Sequence, residues 1–324
     1  MSLARIARVR PILGLGIVFS LFFALPAWAL NQQNGRLLQN GRPLALSAEA
    51  VLLLDGQGKV LFAKNAGEDH APASLVKLMT LYLACESLDA GLVQWEDPVT
   101  ISSRAAQTPR YRMGLRAGES VPLRILLEGV AIASANDAAT AVAEYFAGSE
   151  DAFVAAMNAK AEELGLASTH FANAHGLPGP GGRSTAEDLA KLTGRLIQDY
   201  PTSRALLGGA TFVFRGRVYS RNIPLFRDPG GVQALKTGFT REAGYNLAVA
   251  AWRAGERFVL IILGSHTRSL SFRDARLVLE YGFQETGIEA PPPEPPRRPM
   301  PKRPSDRRPR TAAPKPAPVL PKAS

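Results

Sequence analysis

The chain has 324 residues, and its 38 Lys+Arg against 28 Asp+Glu give a formal charge of +10 that sits at its ends. Residues 1–29 carry three basic and no acidic side chains, residues 291–324 carry nine basic and two acidic, and residues 30–290 are neutral. A neutral body argues against nucleic-acid binding, which needs a clustered basic face, and the single cysteine, Cys85, excludes an intramolecular disulfide and a cysteine-type zinc site.

Arg5, Arg8 and Arg10 precede an apolar run from Pro11 to Pro26, and Ala27-Trp28-Ala29 then offers small residues where a signal peptidase reads. The run is about 15 residues, short of the roughly 20 that a spanning helix needs. Residues 1–29 therefore read as a signal peptide, which places the protein in the periplasm or cell envelope, and 30–46 as a linker. Ala50–Leu54 and Lys59–Ala63 flank Asp55-Gly56-Gln57-Gly58 and form a hairpin. After Pro72, the spacing of Leu75, Leu78, Met79, Tyr82 and Leu83 predicts a helix with one buried face, ending near Gly91. Cys85 falls on it and reads as buried and inert.

Residues 122–165 are rich in Ala and Leu and read as two or three helices, followed by a Gly/Pro loop from Gly176 to Gly182. Asp137 looks like the capped start of one of these helices. Thr185 with Asp188 marks another helix start, whose buried face is Leu189, Leu192, Leu196 and Ile197. Strands follow at 211–217, from Val232 through Lys236, at 244–253 and at 257–264, then a last helix over about 270–281. Short connections favour an antiparallel sheet in which the N-terminal hairpin joins the C-terminal strands, flanked by helices, with an all-helical subdomain between. Residues 47–285 form the expected folded domain. Thirteen of the 25 prolines fall in the last 34 residues, so 286–324 reads as a disordered basic tail with polyproline II character.

Three short motifs carry chemistry. Ser74-Leu75-Val76-Lys77 puts a hydroxyl and an amine on one helical face. That lysine can take a serine proton only if burial or a nearby cation lowers its pKa. Ser134-Ala135-Asn136 lies between two helices and can present a hydroxyl and an amide to a cleft. Lys236-Thr237-Gly238 sits on a strand, where glycine admits a second backbone and Lys and Thr suit a carboxylate. Each motif is common alone; their order and spacing together are specific.

At these residues the sequence resembles the penicillin-recognising serine D-alanyl-D-alanine carboxypeptidases, the low-molecular-mass penicillin-binding proteins. Ala71–Thr80, Ser134–Ala138, Thr169–Asn173 with His175-Gly176-Leu177, Ser184–Asp188, Lys236–Thr240 and Ala243–Asn246 all look like that family. The resemblance implies a β-lactamase/transpeptidase-like α+β fold and acyl transfer on peptidoglycan stem peptides ending in D-Ala-D-Ala, with β-lactams as covalent inhibitors and no cofactor or metal. Carried onto this sequence, it makes Ser74 the nucleophile, Lys77 its base and Ser134 the proton relay to the leaving amine. Asn136 holds the substrate amide, Lys236 lowers the pKa of Lys77, and Lys236 and Thr237 face the substrate carboxylate. Gly238 admits the strand, and the backbone N–H groups of Ser74 and Phe239 form the oxyanion hole. His70, His170 and His175 have no such role in the family; Asn173 and His175 are expected to support their loop.

Two departures stand out. Where many relatives carry Arg or Lys, Gly264-Ser265-His266-Thr267 has His266; either His266 meets the substrate carboxylate, or Arg268 or Arg273 does so instead. After Phe283 the Pro/Arg tail stands in place of the usual all-β domain and amphipathic anchor, and its charge suits anionic membrane or wall polymer. The leading reading is a D,D-carboxypeptidase. Alternatives are a D,D-endopeptidase on crosslinks, a β-lactamase, disfavoured because no clear Glu-x-x-x-Asn loop motif is found, and a non-catalytic wall-binding envelope protein.

Overall fold

The computed structural model describes residues 38–39, 42–43, 45–228 and 231–288. The expected signal peptide, most of the expected linker and nearly all of the expected tail lie outside them. One antiparallel sheet contains β1 (Ala50–Leu54), β2 (Val60–Lys64), β3 (Val232–Thr240), β4 (Gly244–Arg253) and β5 (Glu256–Ser265). Its order is β2-β1-β5-β4-β3. The N-terminal hairpin thus joins the C-terminal strands, with Leu52 opposite Ile261, and β3 is left as an edge.

The longer helices are α1 (Lys77–Asp89), α2 (Asn136–Ala147), α3 (Glu150–Glu163), α4 (Ala186–Asp199) and α5 (Arg268–Glu285). Alternate strand residues feed two cores. Ala50, Leu52, Val259, Ile261 and Leu263 join the core shared with α1, α2 and α4, while Val51, Leu53, Phe258, Leu260 and Ile262 join one completed by α5 through Phe272, Val278 and Phe283. Apolar cover on both faces explains why β5 reads as one continuous apolar run instead of alternating.

Three expectations need correction. The helix after Pro72 does not have one buried face: every residue from Lys77 to Cys85 is buried, because α1 runs through the middle of the molecule against α2, α4 and the helical segment Thr202–Gly208. Burial pushes the Cys85 thiol up to about 12, which leaves it an inert core residue. The expected strand at 211–217 is a separate hairpin, Thr211–Phe214 with Arg217–Ser220, because Arg215 and Gly216 both take positive φ and reverse the chain. Asp137 is not the N-cap of α2, a place taken by Ala135; its carboxylate accepts Ala138 N–H in the first turn and the backbone N–H groups of Met113, Gly114 and Leu115, and so fastens that loop to the start of the helix. The α4 start is as expected, with the Thr185 side chain accepting from Asp188 N–H.

Candidate active site

Ser74 sits in a single 3-10 turn, Ala73–Val76, that leads into α1. The preceding residue, Ala73, has φ +49°, a left-handed conformation costing an L-residue roughly 1–2 kcal/mol. Contacts from two sides hold this turn. Asn246 on β4 donates to the carbonyls of Ala71 (3.0 Å) and Pro72 (3.2 Å) and accepts Gly264 N–H (2.9 Å), tying the turn to the sheet. Gly238 on β3 comes so close that a Cβ there would lie 3.2 Å from the Ser74 nitrogen, and one on Gly176, from the 172–182 loop, would lie 2.0 Å from the Ala73 carbonyl oxygen. The nucleophile's amide is therefore flanked by two backbones that only glycine lets approach.

Lys77, one turn on, is wholly buried. Its Nζ lies 3.1 Å from Ser74 Oγ, 2.7 Å from Asn136 Oδ1 and 2.5 Å from the His175 carbonyl oxygen. Burial lowers its pKa to about 7, opposed only by Asp137. Asn136 is itself locked, its Nδ2 donating to the carbonyls of Pro109 (3.0 Å) and Arg110 (3.4 Å). Ser134 has φ +55° after an irregular turn, Gly129–Ala133, and its Oγ accepts from Lys236 Nζ at 2.8 Å.

Lys236 is equally buried, and its pKa is held well below the lysine range first by burial, then by Lys77 and Arg221. This corrects the expectation that Lys236 is what depresses Lys77: burial is the main cause at Lys77, and the repulsion between the two ammonium groups adds to burial at Lys236. Arg221 is a cation that the sequence reading missed. Its guanidinium donates to the carbonyls of Gly209, Ala131, Leu235 and Leu207, and burial lowers it to about 10. The pocket is electropositive around Lys236.

The structure thus brings Ser74, Lys77, Ser134, Asn136, Lys236 and Gly238 together, with Thr237 and Phe239 beside them on β3. Phe239 is partly exposed, its ring 4.3 Å from Tyr245. His266 follows the last residue of β5, is exposed, and makes no hydrogen bond or ion pair among the described residues. Both arginine alternatives are engaged elsewhere: Arg268 donates to the Asn222 carbonyl (2.7 Å), and Arg273 pairs with Asp274 and the Ala45 carbonyl.

The loop after α3 is pinned from within. Asn173 Oδ1 accepts from His175 and Gly176 N–H, and its Nδ2 donates to the Leu177 carbonyl. Thr80 on α1 donates to the Ala174 carbonyl at 2.7 Å. Burial, with Lys77 and Arg104, lowers His175 to about 3, so its imidazole is neutral. Glu150 and Arg221 escaped the sequence reading because their partners lie in other elements and no short motif joins them; Asn246, inside Ala243–Asn246, was visible as a motif but without a role.

A sequence profile described as D-alanyl-D-alanine carboxypeptidase matches residues 38–267. The chain is 37% identical over 280 residues to D-alanyl-D-alanine carboxypeptidase DacC of Escherichia coli (strain K12), covering 84% of this chain and 68% of DacC. It is 37% identical over 247 residues to DacA of the same strain, covering 74% of this chain and 61% of DacA. The chain therefore spans 61% to 68% of the length of these two relatives. Among solved structures, penicillin binding protein 6B from Escherichia coli superposes with a TM-score of 0.71 at 33% identity, over 75% of this chain and 79% of that one. Penicillin-Binding Protein D2 from Listeria monocytogenes, in its cefotaxime-bound form, gives 0.65 at 31% identity, over 75% of this chain and 99% of that one.

Proposed function

Because the chain belongs to the D-alanyl-D-alanine carboxypeptidase family, a family of serine-type hydrolases, we propose that it removes the terminal D-Ala from peptidoglycan stem peptides through an acyl-serine at Ser74. The observation that carries this reading is the buried Lys77 amine, 3.1 Å from Ser74 Oγ with its pKa lowered to about 7. A neutral lysine has two N–H groups and one lone pair. Asn136 Oδ1 and the His175 carbonyl take the two hydrogens, which leaves the lone pair for the Ser74 proton.

Ser74 Oγ attacks the penultimate carbonyl, whose developing oxyanion is met by the N–H groups of Ser74 and Phe239, a contribution of about 3 kcal/mol per donor. Ser134, held by Lys236, passes the proton to the departing amine. The substrate carboxylate settles against Lys236 and Thr237; it supplies the counter-charge that the pocket lacks and so favours the protonated form of Lys236. Water then attacks the acyl-enzyme with Lys77 again as base. Incubation with penicillin should add one acyl group to the tryptic peptide containing Ser74, and Ser74→Ala should show none; an adduct elsewhere removes the assignment.

His266 is the candidate for extra contact with the terminal carboxylate, since both neighbouring arginines are occupied. His266→Arg should lower KM for a D-Ala-D-Ala peptide at neutral pH by about threefold to tenfold, the worth of a charge-assisted bond at a partly wet site, without changing the penicillin adduct. An unchanged KM means His266 stays clear of the substrate.

The family's peptidoglycan chemistry supports export to the cell envelope, with residues 1–29 as the cleaved leader. The basic, proline-rich segment 291–324 would hold the enzyme to anionic membrane or wall polymer. Deleting it should leave turnover of a short soluble peptide intact but abolish salt-sensitive sedimentation with anionic vesicles or purified wall. Loss of soluble-peptide turnover would make the segment part of the catalytic body instead.

A further inference from the structure

The acceptor that Lys77 finds in the His175 carbonyl is held from behind by a buried carboxylate that no motif contains. Glu150, at the first turn of α3, has a side chain only 7% exposed. Its Oε1 accepts Ala174 N–H at 3.1 Å and lies 3.4 Å from His175 Nε2, while its Oε2 is met by Arg104 at 3.2 Å. The His175 ring is neutral, and its Nδ1 accepts Leu177 N–H at 3.2 Å, so its one hydrogen is on Nε2 and faces the carboxylate. Glu150 therefore meets the Ala174-His175 pair at two points, the Ala174 N–H and the His175 imidazole. Both carbonyls of the pair are taken by α1: that of Ala174 accepts from Thr80, and that of His175 lies 2.5 Å from Lys77 Nζ.

We infer that Glu150 is a positioning residue for the general base: through Ala174 and His175 it aims the His175 carbonyl at Lys77, and so turns the lysine lone pair toward Ser74. Arg104 balances the charge of the carboxylate from the solvent side. This rests on the reading of Lys77 as the base. A residue acting this way governs the orientation of a reacting group without touching substrate. Its loss should slow the chemical step and leave binding alone.

The test is stopped-flow acylation by penicillin, separating the acylation rate constant at saturation from the dissociation constant of the preceding complex. Glu150→Ala should lower the rate constant by about tenfold or more, as sub-ångström misplacement of a base does, with the dissociation constant unchanged. Glu150→Gln keeps an acceptor for Ala174 and for the imidazole and should restore most of the rate. His175→Ala should match Glu150→Ala, and the double variant should be no slower than either single one, because all three break the same link.

The inference is overturned if Glu150→Ala weakens binding instead of slowing acylation, if the Gln variant is as slow as the Ala variant, or if the two single losses simply multiply in the double variant. Should Glu150→Ala fail to fold, the His175→Ala and Glu150→Gln pair still decides: a fast His175→Ala enzyme ends the argument. A wild type that is never acylated would instead defeat the proposed function, so the two failures are distinguishable.

Discussion

The saturating rate of acylation by penicillin is expected to rise about tenfold per pH unit on the acid side of about 7 and to level off above it, since only unprotonated Lys77 can accept the Ser74 proton. The sign follows from the cause. Burial lowers the lysine's affinity for a proton, so the working form predominates above the lowered pKa and is lost as pH falls through it. Lys77→Arg should reduce acylation by at least about a thousandfold, because a guanidinium keeps its proton throughout the working range and removing a catalytic base costs about that much. The same depressed affinity makes folding stability increase as pH climbs from about 7 toward 10.5, where the unfolded chain holds a proton that the folded one has released. A flat rate profile between pH 5 and 8, or an active Lys77→Arg enzyme, would remove Lys77 from the chemistry.

Gly176→Ala should be among the most damaging single methyl additions at the described glycines. Its Cβ would stand 2.0 Å from the Ala73 carbonyl oxygen, and its φ of +83° disfavours any side chain. Neither neighbour can give way cheaply: Ala73 is in the strained turn before Ser74, and the 173–177 segment is pinned by Asn173, Thr80 and Glu150. Overpacking together with backbone strain should cost about 3–4 kcal/mol of stability. Whatever still folds should acylate far more slowly, because relief of the clash moves either the nucleophile or the carbonyl on Lys77. Chemical denaturation and acylation kinetics read the two losses separately. By contrast Gly216→Ala, at a hairpin tip where a Cβ meets nothing within 4 Å, should cost only the strain of its positive φ, roughly 1 kcal/mol. Equal losses at the two positions would show that backbone strain, and not the approach to Ala73, sets the effect.

Much of this site was legible in the amino-acid order because its chemistry is carried by short local groups. Ser74 and Lys77 are one helical turn apart, Ser134 and Asn136 share one bend, and Lys236, Thr237 and Gly238 are consecutive on a strand, so each set announces itself by spacing. The short connections between the apolar strands likewise pointed to an antiparallel sheet, and Thr185 with Asp188 marked a helix start. What folding alone decided are the relations across distance. That α1 is enclosed on all sides, that Arg221 stands beside Lys236, and that Glu150 backs the carbonyl facing Lys77 leave no periodic trace, since each depends on separate elements of the chain meeting. The lysine that works as a base is the clearest case: the sequence supplies an ordinary amine, and only its complete burial beneath Ser74, Asn136 and His175 removes enough water to bring its pKa near neutrality.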